Sequence, residues 1–152
     1  MDVDFHEVEA SAPPASELLA AMVAEMSELY GPIDGPSMPS ATPADFAAPH
    51  GAFLVGYLDS APVCAGGIKR LDAETAEIKR MYVVPAARRR GVARVLLGAL
   101  EEAARRRGYR IVRLDTGPLQ PHAVALYASA GYTEIGNFNA NPLAAYWGEK
   151  AL

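Results

Sequence analysis

The chain has 152 residues, of which 51% are hydrophobic and 21% charged, as is typical of one globular domain with one core. No apolar run approaches the roughly 20 residues of a membrane-spanning helix, and the acidic start Met1–Asp4 is unlike a secretory signal. The lone Cys64 cannot form an internal disulfide, which favours a cytoplasmic protein, and the three scattered histidines predict no metal site.

Charge is divided unevenly along the chain. Residues 1–68 carry ten acidic side chains and neither Lys nor Arg, whereas residues 69–152 carry 14 basic and 8 acidic side chains. A basic half suits a polyanionic ligand, and an acidic half suits a cationic substrate such as an amine. Compositional drift in a chain rich in Ala and Arg is the alternative explanation.

The first half predicts a strand, a helix, a long loop and then an antiparallel meander. Apolar and polar residues alternate in the first strand. The helix has an apolar stripe at helical spacing that is expected in the core, made of Leu18, Leu19, Met22, Val23, Met26, Leu29 and Tyr30. The loop 31–51 is rich in Pro, Gly and Ser, with one helical turn expected near Pro43–Phe46. The strands are predicted over 3–8, 52–58, 63–71 and 75–84, and the helix over 16–30.

The second half predicts helix, strand, short helix and two final strands. The helices are expected over 92–107 and 121–130, and the strands over 109–116, 132–135 and 144–150. The longer helix has one apolar stripe made of Val92, Val95, Leu96, Ala99, Leu100 and Ala103. Because no repeat or domain boundary is visible, residues 1–152 are predicted to form one mixed α/β domain.

The turn between the strand that ends at Val84 and the helix that starts at Val92 is the most informative stretch. It reads Arg88-Arg89-Arg90-Gly91-Val92-Ala93. The first N–H groups of the helix lack intrahelical partners, its dipole adds positive charge, and a glycine lets an oxygen come close. The turn therefore predicts a phosphate or pyrophosphate site. Neither a Walker loop nor a dinucleotide fingerprint fits, because their further residues are missing.

These six residues fit the pattern Arg/Gln-x-x-Gly-x-Gly/Ala, and here the chain resembles the GNAT superfamily of acyl-CoA-dependent N-acetyltransferases. The segment 120–132, with Leu126-Tyr127 followed by Gly131-Tyr132, is similar to the second motif of that family. The resemblance covers nearly the whole chain and is most specific over 76–135. It implies a mixed α/β domain with a central, mostly antiparallel sheet flanked by helices, and acetyl-CoA as co-substrate without a metal.

The resemblance also implies which residues bind coenzyme A. Backbone N–H groups of the turn would hold the pyrophosphate, and one or two arginines would reach the 3′-phosphate. The pantetheine arm would lie along Met81–Val83, where two strands splay apart. The family often has Gly where Arg89 stands, and Asn where His122 stands; His122 would contact the pantetheine or cap its helix. The implied cofactor-binding residues are Met81, Tyr82, Val83, Arg88, Arg89, Arg90, Gly91, Val92, Ala93, Arg94, His122 and Tyr127.

Two side chains are candidates for catalysis. Several GNAT enzymes place a glutamate where Glu77 stands, and it acts as a base through a water molecule; the alternative is a strand-edge carboxylate paired with Lys79 or Arg113. The family's tyrosine at the position of Tyr127 points at the cofactor sulfur, and a resting pKa of about 10 suits proton donation to a thiolate. The alternative for Tyr127 is a core aromatic. The residues predicted to shape the acceptor pocket are Tyr30, Glu77 and Tyr146.

We therefore expect an N-acetyltransferase that transfers an acetyl group from acetyl-CoA to a primary amine of a small molecule or peptide, by direct attack in a ternary complex. The acceptor is expected to be cationic. The alternative is a non-catalytic acyl-CoA-binding sensor or interaction module. A nucleic-acid-binding role for the arginine clusters is disfavoured by the pI of about 5.3. Many relatives are dimers, which makes a homodimer compatible with the resemblance, but nothing in the sequence predicts one.

Overall fold

The computed structural model describes residues 1–32 and 41–152. In it, seven strands form one sheet in the order β1-β2-β3-β4-β5-β7-β6, and β4 and β5 are the neighbouring pair that runs parallel. The strands are β1 (Asp4–Glu7), β2 (Ala52–Leu58), β3 (Ala61–Arg70), β4 (Thr75–Val83), β5 (Ile111–Thr116), β6 (Thr133–Ile135) and β7 (Tyr146–Ala151). The helices are α1 (Ala15–Tyr30), α2 (Val92–Arg106) and α3 (Pro121–Ser129), with 3₁₀ turns at Pro43–Phe46 and Pro85–Ala87. This architecture confirms the predicted mixed, mostly antiparallel sheet flanked by helices.

Two hydrophobic clusters lie on opposite faces of the sheet. On one face, α2 and α3 cover side chains such as Ile68 and Leu114, which are almost completely buried. On the other face, α1 and the turn Pro43–Phe46 cover Phe53 and Val55. Successive side chains of a strand point to opposite faces, so a strand covered on both sides is apolar throughout. That is why the middle strands were recognisable in the sequence.

Strands β4 and β5 separate at the position where a site was predicted. They pair over three residue pairs, the last of which is Glu77 with Arg113, and β5 then continues beside β7. Strand β4 continues beside β3 with a bulge in its register, and Arg80 there has a φ of +62°. Among the described strands, none pairs with the other edge of β4 over 78–83, so this edge can receive an extended ligand.

The apolar stripe predicted on α2 is wrong at one position. Val95 is 36% exposed, whereas Leu97, which lay outside the predicted stripe, is 1% exposed. The reason is that the helix packs on the sheet through its Leu96–Leu97–Leu100 side, and the flank that carries Val95 faces away from it. Periodicity places a stripe on a helix but does not give its centre to within one residue.

Two strands begin later than predicted because backbone groups are used in turns. The N–H of Tyr109 donates to the carbonyl of Ala104 at the end of α2, at 3.1 Å, so β5 begins only at Ile111. The N–H of Ala144 donates to the carbonyl of Asn141 at 3.2 Å. This turn delays β7 until Tyr146.

A partly buried ion pair joins α2 to strand β7. Lys150 Nζ on β7 donates to Glu101 Oε1 on α2 at 3.0 Å, and the Tyr132 hydroxyl donates to Glu101 Oε2 at 2.7 Å. At the end of α2, Arg107 donates to the carbonyl of Ala103, where the helix dipole favours a cation. These contacts set the orientation of the helix whose first turn borders the candidate site.

Candidate active site

The turn between β4 and α2 has the backbone geometry of an anion site. Arg89 and Gly91 adopt left-handed conformations, with φ of +64° and +80°. Gly91 is the N-cap of α2 and no side chain caps this helix, so the N–H groups over 92–94 have no partner within it. Nothing lies within 4 Å of a Cβ built on Gly91, which leaves room for an oxygen anion to approach. The turn fits the predicted diphosphate.

The arginines of the turn have different surroundings. Arg88 is engaged on three sides: its Nε donates to the Val83 carbonyl at 2.9 Å, its guanidinium pairs with Glu25 at 2.6 Å, and it lies 5.6 Å from the centre of the Tyr82 ring. Arg94 donates to the hydroxyl of Ser129. Arg89 and Arg90 are exposed. Two of the three guanidinium nitrogens of Arg88 therefore already donate to protein acceptors, and a phosphate bound by Arg88 would meet the Glu25 carboxylate beside it.

A cleft of about 870 Å³ begins at this turn and runs between the end of β4, α1 and α3. It brings together most of the residues that the sequence assigned to coenzyme A. Those that line it are Met81, Tyr82, Val83, Arg88, Arg89, Gly91, Val92, Ala93, Arg94, His122 and Tyr127. Arg90 lies in the turn but does not line the cleft.

Tyr127 is buried at the inner end of this cleft. Its hydroxyl points to Met81 Sδ on β4, at 3.9 Å, and its ring lies 6.3 Å from that of Tyr146 and 5.8 Å from that of Tyr132. Burial raises the pKa of the Tyr127 phenol far above its usual value of 10, and the nearby Asp115 carboxylate raises it further. The hydroxyl is therefore protonated at neutral pH. It is also a weaker acid than the pKa of about 10 expected from the sequence, so proton donation to a thiolate is less favourable in the free protein than that value suggested.

Glu77 is buried at the point where β4 and β5 part. Its Oε2 accepts hydrogen bonds from Lys79 Nζ at 3.2 Å and from Asn139 Nδ2 at 2.9 Å. The ion pair with Lys79, which the sequence offered as an alternative to a catalytic role, is present. The pair with Arg113 is not, because Arg113 Nε lies 3.5 Å from Glu149 Oε2 instead. No hydrogen bond from the described residues reaches Glu77 Oε1.

None of the three residues predicted at the acceptor pocket, Tyr30, Glu77 and Tyr146, lines the cleft. Tyr30 joins α1 to the connection between β5 and α3: its hydroxyl accepts from the N–H of Leu119 at 3.1 Å and donates to Gln120 Oε1 at 3.2 Å. Gly117 permits this, since a Cβ there would lie 2.2 Å from the Tyr30 oxygen. Tyr146 is buried in the core against Tyr127. Their role toward an acceptor stays a prediction.

His122 does not cap α3. The N-cap residue is Gln120, and no side chain makes a capping hydrogen bond. His122 is the second residue of the helix and is exposed at the cleft. The capping alternative is therefore wrong, because the helix begins two residues too early for His122 to occupy the capping position.

Helix α1 contributes a wall of the cleft that the sequence did not predict. Leu29 belonged to the predicted core stripe of α1 but is 40% exposed, and Leu119 opposite is 53% exposed. The unpredicted lining residues of the whole cleft are Glu25, Met26, Glu28, Leu29, Ala87, Leu119, Gln120, Ala123 and Leu126. Helical periodicity identifies an apolar face, but only the tertiary structure shows whether a neighbour covers it.

Over 1–32 and 41–152, no group of three or more His, Cys, Asp or Glu side chains is placed to hold a metal ion. In the same residues, no helix has both the length and the apolar character needed to cross a membrane.

Comparisons with known proteins agree with this geometry. Residues 19–132 match the profile of the acetyltransferase (GNAT) family. An IAA acetyltransferase of Azospirillum brasilense is 37% identical over 94 residues, which are 60% of this chain and 61% of that protein. A candidate acyl-CoA N-acyltransferase of Klebsiella pneumoniae has a TM-score of 0.78 at 26% identity, over 99% of this chain and 97% of the other.

One solved structure with lower sequence identity is similar to this chain in fold alone. A GNAT-family acetyltransferase of Elizabethkingia anophelis, with acetyl-CoA bound, has a TM-score of 0.70 at 16% identity, over 99% of this chain and 98% of that chain. The present chain spans less than two thirds of the length of the curated relatives it matches.

Proposed function

Because this chain belongs to the GNAT family of acetyltransferases, we propose that it transfers the acetyl group of acetyl-CoA to a primary amine of a small molecule or peptide. The observation that carries the proposal is a single cleft that joins the anion-binding turn of α2 to the buried hydroxyl of Tyr127. Both reactants bind together, and the amine attacks the thioester directly. Positioning of this kind supplies a large share of the acceleration without an acyl-enzyme.

Coenzyme A has a binding path in this proposal. The diphosphate accepts hydrogen bonds from the N–H groups over 92–94, and exposed Arg89 adds positive charge. The pantetheine amides pair with the open edge of β4 at Met81–Val83, as an added strand would. Backbone N–H groups on that edge polarise the thioester carbonyl, where negative charge develops.

Glu77 and Tyr127 carry the two proton transfers. Glu77 Oε1 takes a proton from the acceptor ammonium through a water molecule, which leaves a neutral amine. The amine nitrogen then forms the C–N bond as the C–S bond breaks, and the thiolate takes a proton from the Tyr127 hydroxyl. The nitrogen gives up its second proton to solvent, Glu77 releases the proton that it took, and Tyr127 regains one from solvent.

The proposed acceptor is cationic, on the evidence of the acid-rich residues 1–68. Two of these acids already pair with arginines of the second half: Glu25 with Arg88 and Glu7 with Arg107. Part of the charge asymmetry therefore joins the two halves of the chain. What supports the acceptor proposal is that Glu25 and Glu28 line the cleft. A cytoplasmic location, which the single cysteine favours, stays a prediction. A homodimer stays compatible with the family resemblance.

The test is the release of free thiol from acetyl-CoA in the presence of spermidine, tyramine, kanamycin, lysine or an unblocked tetrapeptide. Cys64 contributes little background, because it is fully buried and burial raises its pKa to about 11. Release with one of these amines, absent without it, is the expected result. Coenzyme A binding without release from any of them would favour the non-catalytic acyl-CoA-binding module. Failure to bind coenzyme A would contradict both functions.

A further inference from the structure

The loop between β6 and β7 folds back onto the sheet and places one amide between two carboxylates. Asn139 Nδ2 donates to Glu77 Oε2 at 2.9 Å and to Asp115 Oδ2 at 2.5 Å. Asn139 Oδ1 accepts from Trp147 Nε1 at 3.0 Å and from the N–H of Asn141 at 3.1 Å. Every hydrogen-bonding position of this amide is used. The reverse orientation would turn its oxygen toward two carboxylates, so the hydrogen-bond network determines the orientation.

The Asn139 amide reduces the electrostatic repulsion between the Glu77 and Asp115 carboxylates. The Glu77 and Asp115 oxygens lie within hydrogen-bond distance of the same nitrogen, where two negative charges repel each other. The two N–H groups of Asn139 satisfy one oxygen of each carboxylate. Hydrogen bonds from a neutral donor to a charged group are among the stronger ones in proteins. Without them, we expect the Glu77 side chain to leave its present rotamer.

We infer that Asn139 is a positioning residue for Glu77, an inference that rests on the proposed role of Glu77 as the base. Asn139 and Lys79 both bind Oε2 and hold the carboxylate from one side. The hydrogen bonds of the described residues leave Oε1 as the oxygen that can accept a proton from water. Glu77 is 3% exposed, so the direction in which its free oxygen Oε1 points depends on these few contacts.

The surroundings of Asn139 hold it in turn. Asn137 Oδ1 accepts from the N–H groups of Asn139 and Ala140, at 3.2 and 2.7 Å, which closes the loop on itself. Trp147, on β7, is half-buried and fixes the amide through its indole N–H. Trp147 on β7 thus holds the Asn139 amide in place, and Asn139 in turn holds the Glu77 carboxylate.

Neighbouring Asn141 provides a matched control. Its Nδ2 also donates to Asp115 Oδ2, at 3.1 Å, but it has no hydrogen bond to Glu77. Asn139→Ala and Asn141→Ala each remove a side-chain amide of the same loop, and each thereby removes a hydrogen bond to Asp115. Only the first removes a contact to Glu77.

The experiment measures kcat and both KM values for Asn139→Ala, alone and combined with Glu77→Gln, with acetyl-CoA and the amine of the panel that gives the fastest thiol release. Loss of one hydrogen bond to a charged group corresponds to a fall in kcat of about tenfold. We expect that fall with the KM for acetyl-CoA unchanged. We expect less than a twofold further effect in the Glu77→Gln background, and less than twofold for Asn141→Ala.

Trp147→Phe keeps Asn139 but removes the donor that fixes it, so it tests the same chain of contacts if Asn139→Ala folds poorly. We expect it to lower kcat about threefold, again only when Glu77 is present. Equal losses in the wild-type and Glu77→Gln backgrounds would overturn the positioning role. An unimpaired Glu77→Gln enzyme would overturn it together with the base, although acetyl transfer would stand. If the unaltered chain itself releases no thiol with any amine of the panel, the proposed function fails, and that outcome is distinct from the two above.

Discussion

Tyr127 and Tyr132 lie close together in the chain, but their hydroxyl groups have different hydrogen-bond partners. Both are buried, and burial raises the pKa of both phenols. The Tyr132 hydroxyl donates to the Glu101 carboxylate and is thereby part of the ion pair that joins α2 to β7. Among the described residues, the hydrogen-bond partner of the Tyr127 hydroxyl is the weak acceptor Met81 Sδ, and this hydroxyl faces the cleft. One hydroxyl is used by the fold, and the other is available to a ligand.

This difference predicts opposite effects for two matched substitutions. Tyr127→Phe removes the proton donor to the thiolate, so kcat should fall about a hundredfold, within the usual range for general-acid catalysis. Its coenzyme A affinity and its free energy of unfolding should hardly change, because little binds the hydroxyl in the free protein. Steady-state kinetics, coenzyme A titration and urea unfolding would measure the three quantities.

Tyr132→Phe is the control. It leaves the Glu101 carboxylate one donor short, which should lower the free energy of unfolding by about 1–3 kcal/mol with kcat nearly unchanged. If Tyr127→Phe lost stability but kept its turnover, Tyr127 would be a core aromatic, as the sequence allowed.

At the scale of elements, α2 carries two glycines with different physical roles. Gly91 is the N-cap and has a φ of +80°, a conformation that other residues adopt only with strain. Gly98 is exposed within the helix, where glycine is a poor choice because it loses more backbone entropy than alanine. Neither position has another atom within 4 Å of a built Cβ, so substitution at either reports on the backbone alone.

Gly91→Ala and Gly98→Ala should therefore change stability in opposite directions. We expect Gly91→Ala to lower the free energy of unfolding by about 1 kcal/mol, the usual cost of a left-handed alanine, and to weaken coenzyme A binding. Gly98→Ala should raise it by about 0.5–1 kcal/mol with binding unchanged. Denaturant unfolding and calorimetric titration give both numbers. A stabilised Gly91→Ala would mean that the turn is not held in its left-handed form.

At the scale of the whole molecule, the burial of ionisable groups makes stability depend on alkaline pH. Burial raises the pKa of the Cys64 thiol from 9.0 to about 11, and it raises the pKa of the Tyr127 and Tyr132 phenols above 10. In the unfolded chain these groups ionise near their ordinary values, while the folded chain keeps their protons. Stability is therefore intact below pH 9 and is lost as the pH rises beyond it.

The measurement is the free energy of unfolding in urea at pH 8, 9.5 and 10.5. Each group that is ionised only in the unfolded chain lowers the free energy of unfolding by up to about 1.4 kcal/mol per pH unit. We expect a clear fall by pH 10.5. In Cys64→Ala the fall should begin about one pH unit later, because only the phenols remain. Stability that stayed constant to pH 10.5 would show that these groups are not buried as the structure has them.

The whole molecule also explains where sequence reasoning succeeded and where it did not. Strand β2 and the start of α2 were predicted at their observed positions, because apolar runs, glycines and prolines act through neighbours in the chain. Val95 and Leu29 were assigned to the core and are exposed. Both errors concern which side of a helix meets another element, and local periodicity does not contain that information.

The sequence by itself determined the order of elements, the glycine turn that opens α2 and the family resemblance, because each depends on residues close together in the chain. Only the tertiary structure decided that Glu25 reaches Arg88, that α1 walls the cleft and that Asn139 lies between Glu77 and Asp115. The contacts of Asn139 join residues 62 and 24 positions apart. Contacts at such separation depend on how strands and loops pack, because the free energy that selects them comes from burial and pairing across the whole sheet.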